Sequence, residues 1–358
     1  MYQNEGEKMK TNINKSIFLL GSVLSFTACS NDEKDTNSNV LEDIDITYAQ
    51  GLAHDETSTD SFEVSLKLDV YHPADDSTNR PVLMFIHGGG FTGGVKHKPE
   101  IIEMAKYYAQ RGWVFVSIDY RTTEELCDAN VSTTCKDKLK EMLQNDANQV
   151  VDFYKGIAPK EWIENAIPVI ESPKDLQQSI AMYAAQRDSK AALRWIVANA
   201  STYNIDTDYI SVGGASAGAI TTMALGVSDL EDFRDEISID DDPTLSTTNL
   251  DATYEVQSMV YFWGSKIKLD VFEMVYGLDR FDANDPELFM AHGDAEDPVT
   301  PYEGSLEIQE IYDSLDIHSE LVKLEGEGHG AWDAKVDGKG LYELSYDFLV
   351  ERQGLTLE

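Results

Sequence analysis

Two apolar patterns alternate along this chain. In "SFEVSLKLDVYHP" (61–73) apolar and polar residues take turns, which predicts an antiparallel strand ending at Pro73. "PVLMFIH" (81–87) is a continuous apolar run between turn residues, as expected of a strand buried on both faces, and "WVFVSIDY" (113–120) repeats it. Further strands are predicted at "YISVGG" (209–214), "VQSMVYFWG" (256–264), "ELFMAHG" (287–293) and "SELVKLEG" (319–326). Helical patterns fall between them: about Lys98 to Arg111, about Leu176 to Ala200, "SAGAITTMALG" (216–226), and around Ser305 to Ser314. A last helix is predicted from about Gly340 to Glu351. Strands alternating with helices imply an α/β fold with a mostly parallel central sheet and helices on both faces. Residues 121–173 break the alternation, being charged and only weakly helical, and are read as an insertion over the strand ends, a candidate cap.

"SVGGASAGAIT" (211–221) places Ser216 where a predicted strand hands over to a predicted helix. A sharp turn there would lift the hydroxyl above the sheet edge, with Gly214 and Gly218 letting neighbouring backbone approach closely. The N-terminus of the following helix adds unpaired N–H groups and a partial positive charge. A serine needs a base to take its proton. His329, in "GEGHGAWD" (326–333), lies on a loop between two glycines, whereas His318 falls at the start of a strand, so His329 is the preferred base. The acid should lie between them, and "MAHGDAEDPVTPY" (290–302) offers Asp294, Glu296 and Asp297. "HGGGF" (87–91) follows a buried strand and exposes uncovered N–H groups; Gly89, Gly90 and Ala217 are the expected donors to an oxyanion. His87 is read as a structural brace of that loop. Pocket walls are expected from the insertion and from the loops around Phe91, Trp263 and Trp332.

Lysine and arginine number 28 against 65 aspartate and glutamate, a net charge of −37, which argues against nucleic acid or anionic lipid as a partner. Asp240, Asp241 and Asp242 read as a solvated turn rather than a calcium site, and neither metal nor cofactor is expected. Residues 1–28 read as a signal peptide: Lys10 and Lys15 precede an apolar stretch, Ile17 to Ala28, shorter than the roughly 20 residues a membrane span needs. "LSFTAC" (24–29) resembles a bacterial lipoprotein signal, which makes Cys29 the expected lipidation site and its lipid the only membrane contact. Residues 29–41 suit a flexible tether, and "SNDEKDTNSN" (30–39) resembles the acidic export signal of surface lipoproteins in Bacteroidetes-type bacteria. The expected address is the outer membrane, with residues 42–358 forming the folded domain. Cys127 and Cys135 remain as an even pair, close enough in sequence to form a disulfide, which an exported protein retains.

These residues resemble the α/β-hydrolase fold and, within it, the carboxylesterases with an HGGG oxyanion loop. The resemblance rests on "KLDVYHP", "VLMFIHGGGF", "FVSIDYR", "RDSKAALRWIVANASTYNIDTDYISVGGASAGA" and "HGDAEDPVTPY…GEGHGAWD", and covers about Asp43 to Phe348 apart from the insertion. It implies a serine hydrolase that forms and then hydrolyses an acyl-enzyme. The acid loop is similar to the esterase pattern H-G-x-x-D-x-x-V-P with one extra residue; counting back from Pro301 lands on Asp297, the preferred acid, while counting forward from His292 lands on Glu296. Two departures, Ala215 where one branch carries an acidic residue and the insertion at 121–173, bear on the substrate rather than the chemistry. The expected substrates are short-acyl esters, with acetyl or feruloyl groups on polysaccharides as candidates. The alternatives are a peptidase of the prolyl-oligopeptidase type, for whose large propeller residues 30–80 leave no room, and a non-catalytic binding module on the same fold.

Overall fold

A computed structural model describes residues 39–57, 60–266 and 280–356. The expected signal peptide, Cys29 and most of the expected tether lie outside the described residues. Eight strands form one sheet: β1 (Val40–Ala53), β2 (Phe62–Pro73), β3 (Arg80–Ile86), β4 (Val114–Ile118), β5 (Ile205–Ala215), β6 (Ser258–Phe262), β7 (Glu287–Gly293) and β8 (Ser319–Leu324). Their order is β1-β2-β4-β3-β5-β6-β7-β8. β2 runs antiparallel to both its neighbours, and every other pairing is parallel.

Among the described residues the α-helices are α1 (Pro99–Ala109), α2 (Thr133–Asn145), α3 (Asn148–Phe153), α4 (Lys160–Ala166), α5 (Pro173–Ala198), α6 (Ala200–Tyr203), α7 (Ala217–Gly226), α8 (Glu303–Ser314) and α9 (Leu341–Arg352). The two-sided apolar runs do what their pattern implies. Along β3, Val82, Met84 and Ile86 join the core that includes Leu193 of α5 and Met223 of α7. Leu83 and Phe85 join the opposite core with Met104 of α1 and Leu349 of α9. At roughly 1.5–3 kcal/mol for each buried side chain, a one-residue slip would exchange the two faces and forfeit the packing of both, so burial sets the register.

β1 is not predicted by pattern. Its first half is exposed and carries Glu42, Asp43 and Asp45, residue types poor in strands. It forms because β2 offers an edge, with pairing from Val40↔Pro73 to Ala53↔Phe62. A buried ammonium assists: Lys96 Nζ lies 2.7 Å from Asp45 and 3.0 Å from Asp69. The strand starts at Val40, two residues inside the segment assigned to the tether.

The insertion holds α2, α3 and α4, and Cys127 and Cys135 form a disulfide at its start. α5 continues from it, capped by Ser172, whose side chain accepts from the N–H of Asp175, with Pro173 in the first turn. Most of α5 from Leu176 onward is buried on every side, and its charged residues Arg187, Asp188 and Arg194 find partners inside the protein. One such partner corrects the reading of the acidic turn: Asp242 is buried and pairs with Arg187 at 3.0 Å. Asp241 meets Lys155 at 2.8 Å.

Candidate active site

The serine turn is tight because two backbones meet across it. β5 ends at Ala215 and α7 begins at Ala217, leaving Ser216 between them at φ +56° and ψ −119°. That left-handed conformation disfavours a residue with a side chain. It is held by the Ser216 N–H donating to the Phe262 carbonyl at 2.9 Å and by Ile220 N–H donating to the Ser216 carbonyl at 3.1 Å. A Cβ on Gly214 would come within 2.3 Å of the Gly218 backbone, and one on Gly218 within 2.0 Å of the Ile86 carbonyl oxygen. Neither position has room for a side chain.

Ser216, His329 and Asp297 come together from three loops at the same sheet edge. His329 Nε2 lies 3.0 Å from Ser216 Oγ, and Nδ1 lies 2.9 Å from Asp297 Oδ2. Asp297 is buried while the His329 side chain is 35% exposed, so the acid is sheltered and the base open to the cleft. Burial alone would raise the Asp297 pKa. Hydrogen bonds from Val299 N–H, from the Thr300 hydroxyl and N–H, and from His329 outweigh it and hold the carboxyl below its ordinary range. The other two carboxylates of the loop point elsewhere: Asp294 pairs with Lys323 at 3.1 Å, and Glu296 is exposed. His318 stacks on Phe348 with ring centroids 5.9 Å apart and takes no part.

The glycine loop sits against the serine turn. Gly90 and Ala217 line the cavity above Ser216, and among the described residues neither N–H donates to a protein acceptor. Gly89 N–H likewise donates to no protein acceptor among the described residues; its carbonyl accepts from Thr92 N–H at 3.0 Å, and a Cβ there would meet the Gly93 carbonyl. Gln178 of α5 donates to the Gly90 carbonyl at 2.6 Å. His87 braces the loop from beneath: its Nδ1–H donates to the Gly88 carbonyl at 3.0 Å and its ring stacks on Tyr120 at 4.4 Å. Burial pushes this imidazole down to about 4, only partly opposed by that hydrogen bond, so it is neutral near pH 7.

The cavity measures about 410 Å³. Trp162, Ala166 and Ile170 of the insertion form one wall, and Met182 and Ile220 another. Phe91 and Ser265 also line it, as the loop expectation has it, but Trp263 and Trp332 do not. Trp263 is buried edge-on to His329 at 6.4 Å between ring centroids, and Trp332 packs edge-on to Trp263 at 5.2 Å. Trp263 supports the histidine and Trp332 backs Trp263.

Two residues of the site escape pattern reading. Thr300 places its hydroxyl 2.8 Å from Asp297 Oδ2, and buried His292 holds the Thr300 carbonyl at 2.8 Å. His292 stands in the sequence only as the first residue of the acid-loop pattern, and a threonine directly before a proline carries no signal. Among the described residues no group of three or more histidine, cysteine, aspartate or glutamate side chains is arranged to hold a metal.

The BD-FAE family model matches residues 68–152 and 143–274. No curated protein matches the chain by sequence. Among solved structures, the chain is similar to a truncated form of a carbohydrate esterase from gut microbiota, with 19% identity over 89% of this chain and 98% of that one and a TM-score of 0.55. It is also similar to a thermophilic esterase of the planctomycete Thermogutta terrifontis with butyrate bound, with 19% identity over 82% of this chain and 92% of that one and a TM-score of 0.55. The same esterase phosphonylated by sarin matches at 21% identity over 82% of this chain and 93% of that one, with a TM-score of 0.53. What these likenesses share with the chain is the α/β-hydrolase fold.

Proposed function

The chain belongs to the BD-FAE family, and we propose that it is a serine esterase that hydrolyses short-acyl carboxylic esters through an acyl-enzyme. The observation that carries this reading is the unbroken hydrogen-bonded series from Ser216 through His329 to Asp297. In it, His329 Nε2 takes the Ser216 proton as the oxygen attacks the ester carbonyl. The Asp297 carboxylate holds the imidazole and stabilises its protonated form. The oxyanion develops beside the N–H groups of Gly89, Gly90 and Ala217. His329 then returns the proton to the departing alcohol. Water, activated by the same nitrogen, releases the acid.

The cavity falls in the volume range of small-ligand sites and is walled mainly by apolar side chains, which suits an acyl group better than a charged peptide. Butyrate bound to the Thermogutta esterase and the phosphonylation of that protein by sarin favour short acyl groups and a reactive serine here. The carbohydrate esterase among the structural neighbours favours acetyl or feruloyl groups on a polysaccharide as the natural ester. Export as a lipoprotein anchored at Cys29 completes the reading, and a Cys29→Ser variant should then leave the membrane fraction.

The test is hydrolysis of p-nitrophenyl acetate, butyrate and octanoate by the wild type and by Ser216→Ala. A fall of roughly 10⁴-fold in the variant, with rates that decline as the acyl chain lengthens, is expected. A wild type inert to every ester and unlabelled at Ser216 by a fluorophosphonate would remove the esterase reading in favour of a binding module. Faster cleavage of dipeptide amides than of esters would move it to the peptidases.

A further inference from the structure

The acid loop does more than carry its carboxylate. Three atoms close a small triangle there: Thr300 Oγ1 to Asp297 Oδ2 is 2.8 Å, Thr300 Oγ1 to His329 Nδ1 is 2.9 Å, and His329 Nδ1 to Asp297 Oδ2 is 2.9 Å. A hydroxyl has one proton and two lone pairs. The ionised carboxylate is the stronger acceptor, so the proton goes to Asp297 and a lone pair is left facing the Nδ1–H of His329. That N–H is therefore shared between two acceptors.

Thr300 is fixed from three directions. Its N–H donates to Asp297 Oδ1 at 3.2 Å, alongside Val299 N–H at 2.8 Å. Its carbonyl accepts from Nε2–H of His292 at 2.8 Å, and His292 Nδ1 in turn accepts from the Ser305 hydroxyl at 2.7 Å. His292 and Ser305 are buried, and desolvation pushes the His292 imidazole below its ordinary range, so it stays neutral with the proton on Nε2. The hydroxyl consequently has one place to be.

We propose that Thr300 is a positioning residue for the serine hydrolase chemistry, its hydroxyl donating to Asp297 while accepting from His329 Nδ1–H, with His292 and Ser305 holding it in place. The proposal rests on the esterase reading for its kinetic consequence but not for its geometry. Two acceptors on Nδ1–H keep the proton on that nitrogen, leave Nε2 free to act as base toward Ser216, and resist rotation of the ring. The same pair stabilises the imidazolium once Ser216 has given up its proton, a gain made only on the way to the transition state.

Thr300→Val tests this, because valine keeps the shape, the N–H and the carbonyl and loses only the hydroxyl; Thr300→Ser restores the hydroxyl. In Thr300→Val kcat should fall about tenfold with KM unchanged, since the lost interaction serves the transition state. Thr300→Ser should stay within about threefold of the wild type. Thr300 also lines the cavity, so the unchanged KM separates positioning from substrate contact. A readout independent of turnover is the downfield Nδ1–H proton resonance of His329, which should shift and exchange faster in Thr300→Val and stay in place in Thr300→Ser. An unmoved resonance in Thr300→Val, or equal losses of activity in the two variants, overturns the proposal. A wild type without esterase activity defeats the esterase reading instead, and the proton resonance still decides the role of Thr300.

Discussion

Arg121 and Asp188 meet as a buried bidentate pair. The guanidinium Nη2 lies 2.6 Å from Asp188 Oδ1 and Nε lies 2.9 Å from Oδ2, with the two side chains 1% and 2% exposed. Arg121 opens the insertion and Asp188 sits in the middle of α5. The remaining arginine nitrogen donates to the Leu52 carbonyl of β1 at 2.9 Å. One side chain thus ties the root of the insertion to a helix and an edge strand. Burial opposes the charge on Arg121, and the facing carboxylate outweighs it, so the pKa rises.

Removing one partner of such a pair leaves a buried charge uncompensated. Asp188→Asn should lower unfolding stability by about 3–5 kcal/mol, read from the urea midpoint. A midpoint within error of the wild type would mean that water reaches the guanidinium and that the pair does not hold the insertion's root.

The disulfide should matter to stability and little to chemistry. Replacing Cys127 and Cys135 together by serine releases a short loop, and a loss of about 2–3 kcal/mol is expected. The loop stays anchored by Gln177, which donates to the carbonyls of Leu126 and Cys127 and accepts from Ala129 N–H at 2.8 Å. Turnover of p-nitrophenyl acetate should therefore remain within about threefold at 25 °C. A collapse of kcat in a variant that stays folded would place the loop in the active site.

Acyl length should follow the wall built by the insertion. Ala166 ends α4 and lines the cavity, so Ala166→Leu adds bulk near the acyl path. The octanoate-to-acetate ratio of kcat/KM should drop about tenfold, and Ile220→Ala should raise it. If both variants keep the wild-type ratio, the acyl chain takes another route.

Stability should fall with acidity as buried neutral imidazoles are driven to take up protons. His87 is buried and its folded pKa is depressed from 6.5 to about 4. Between those values the unfolded chain binds a proton that the folded state refuses, so stability is full above about pH 6.5, falls as the pH drops, and levels near pH 4. At ~1.4 kcal/mol for each pKa unit, the loss is on the order of 3 kcal/mol, with His292 adding in the same direction. Urea midpoints at pH 7, 5.5 and 4.5 should be flatter for His87→Gln than for the wild type. Parallel curves would assign the acid sensitivity to other groups.

Burial on both faces decides which strands can be read from their own residues. β3, β4, β6 and β7 are buried on both faces, so their residues are mostly apolar and readable in isolation. Ser216 is readable because the turn that strains it excludes side chains at Gly214 and Gly218, which writes the constraint into the sequence. The edge strand β1 is the opposite case: a pairing partner and the Lys96 ammonium build it, and nothing in "VLEDID" announces either.

By itself, the sequence determined the sheet-and-helix alternation, the position of Ser216 on its turn, and a small set of acids and bases that could serve it. These follow from local burial and local backbone geometry, which each segment records in its own residue types. Only the tertiary structure bonded Asp297 to His329 while turning Asp294 and Glu296 away, packed Trp263 against His329 with Trp332 behind it, and brought Thr300 and His292 into the site. Those choices depend on which loops meet at one sheet edge and which side chains lose water there, and no single stretch of chain carries that information.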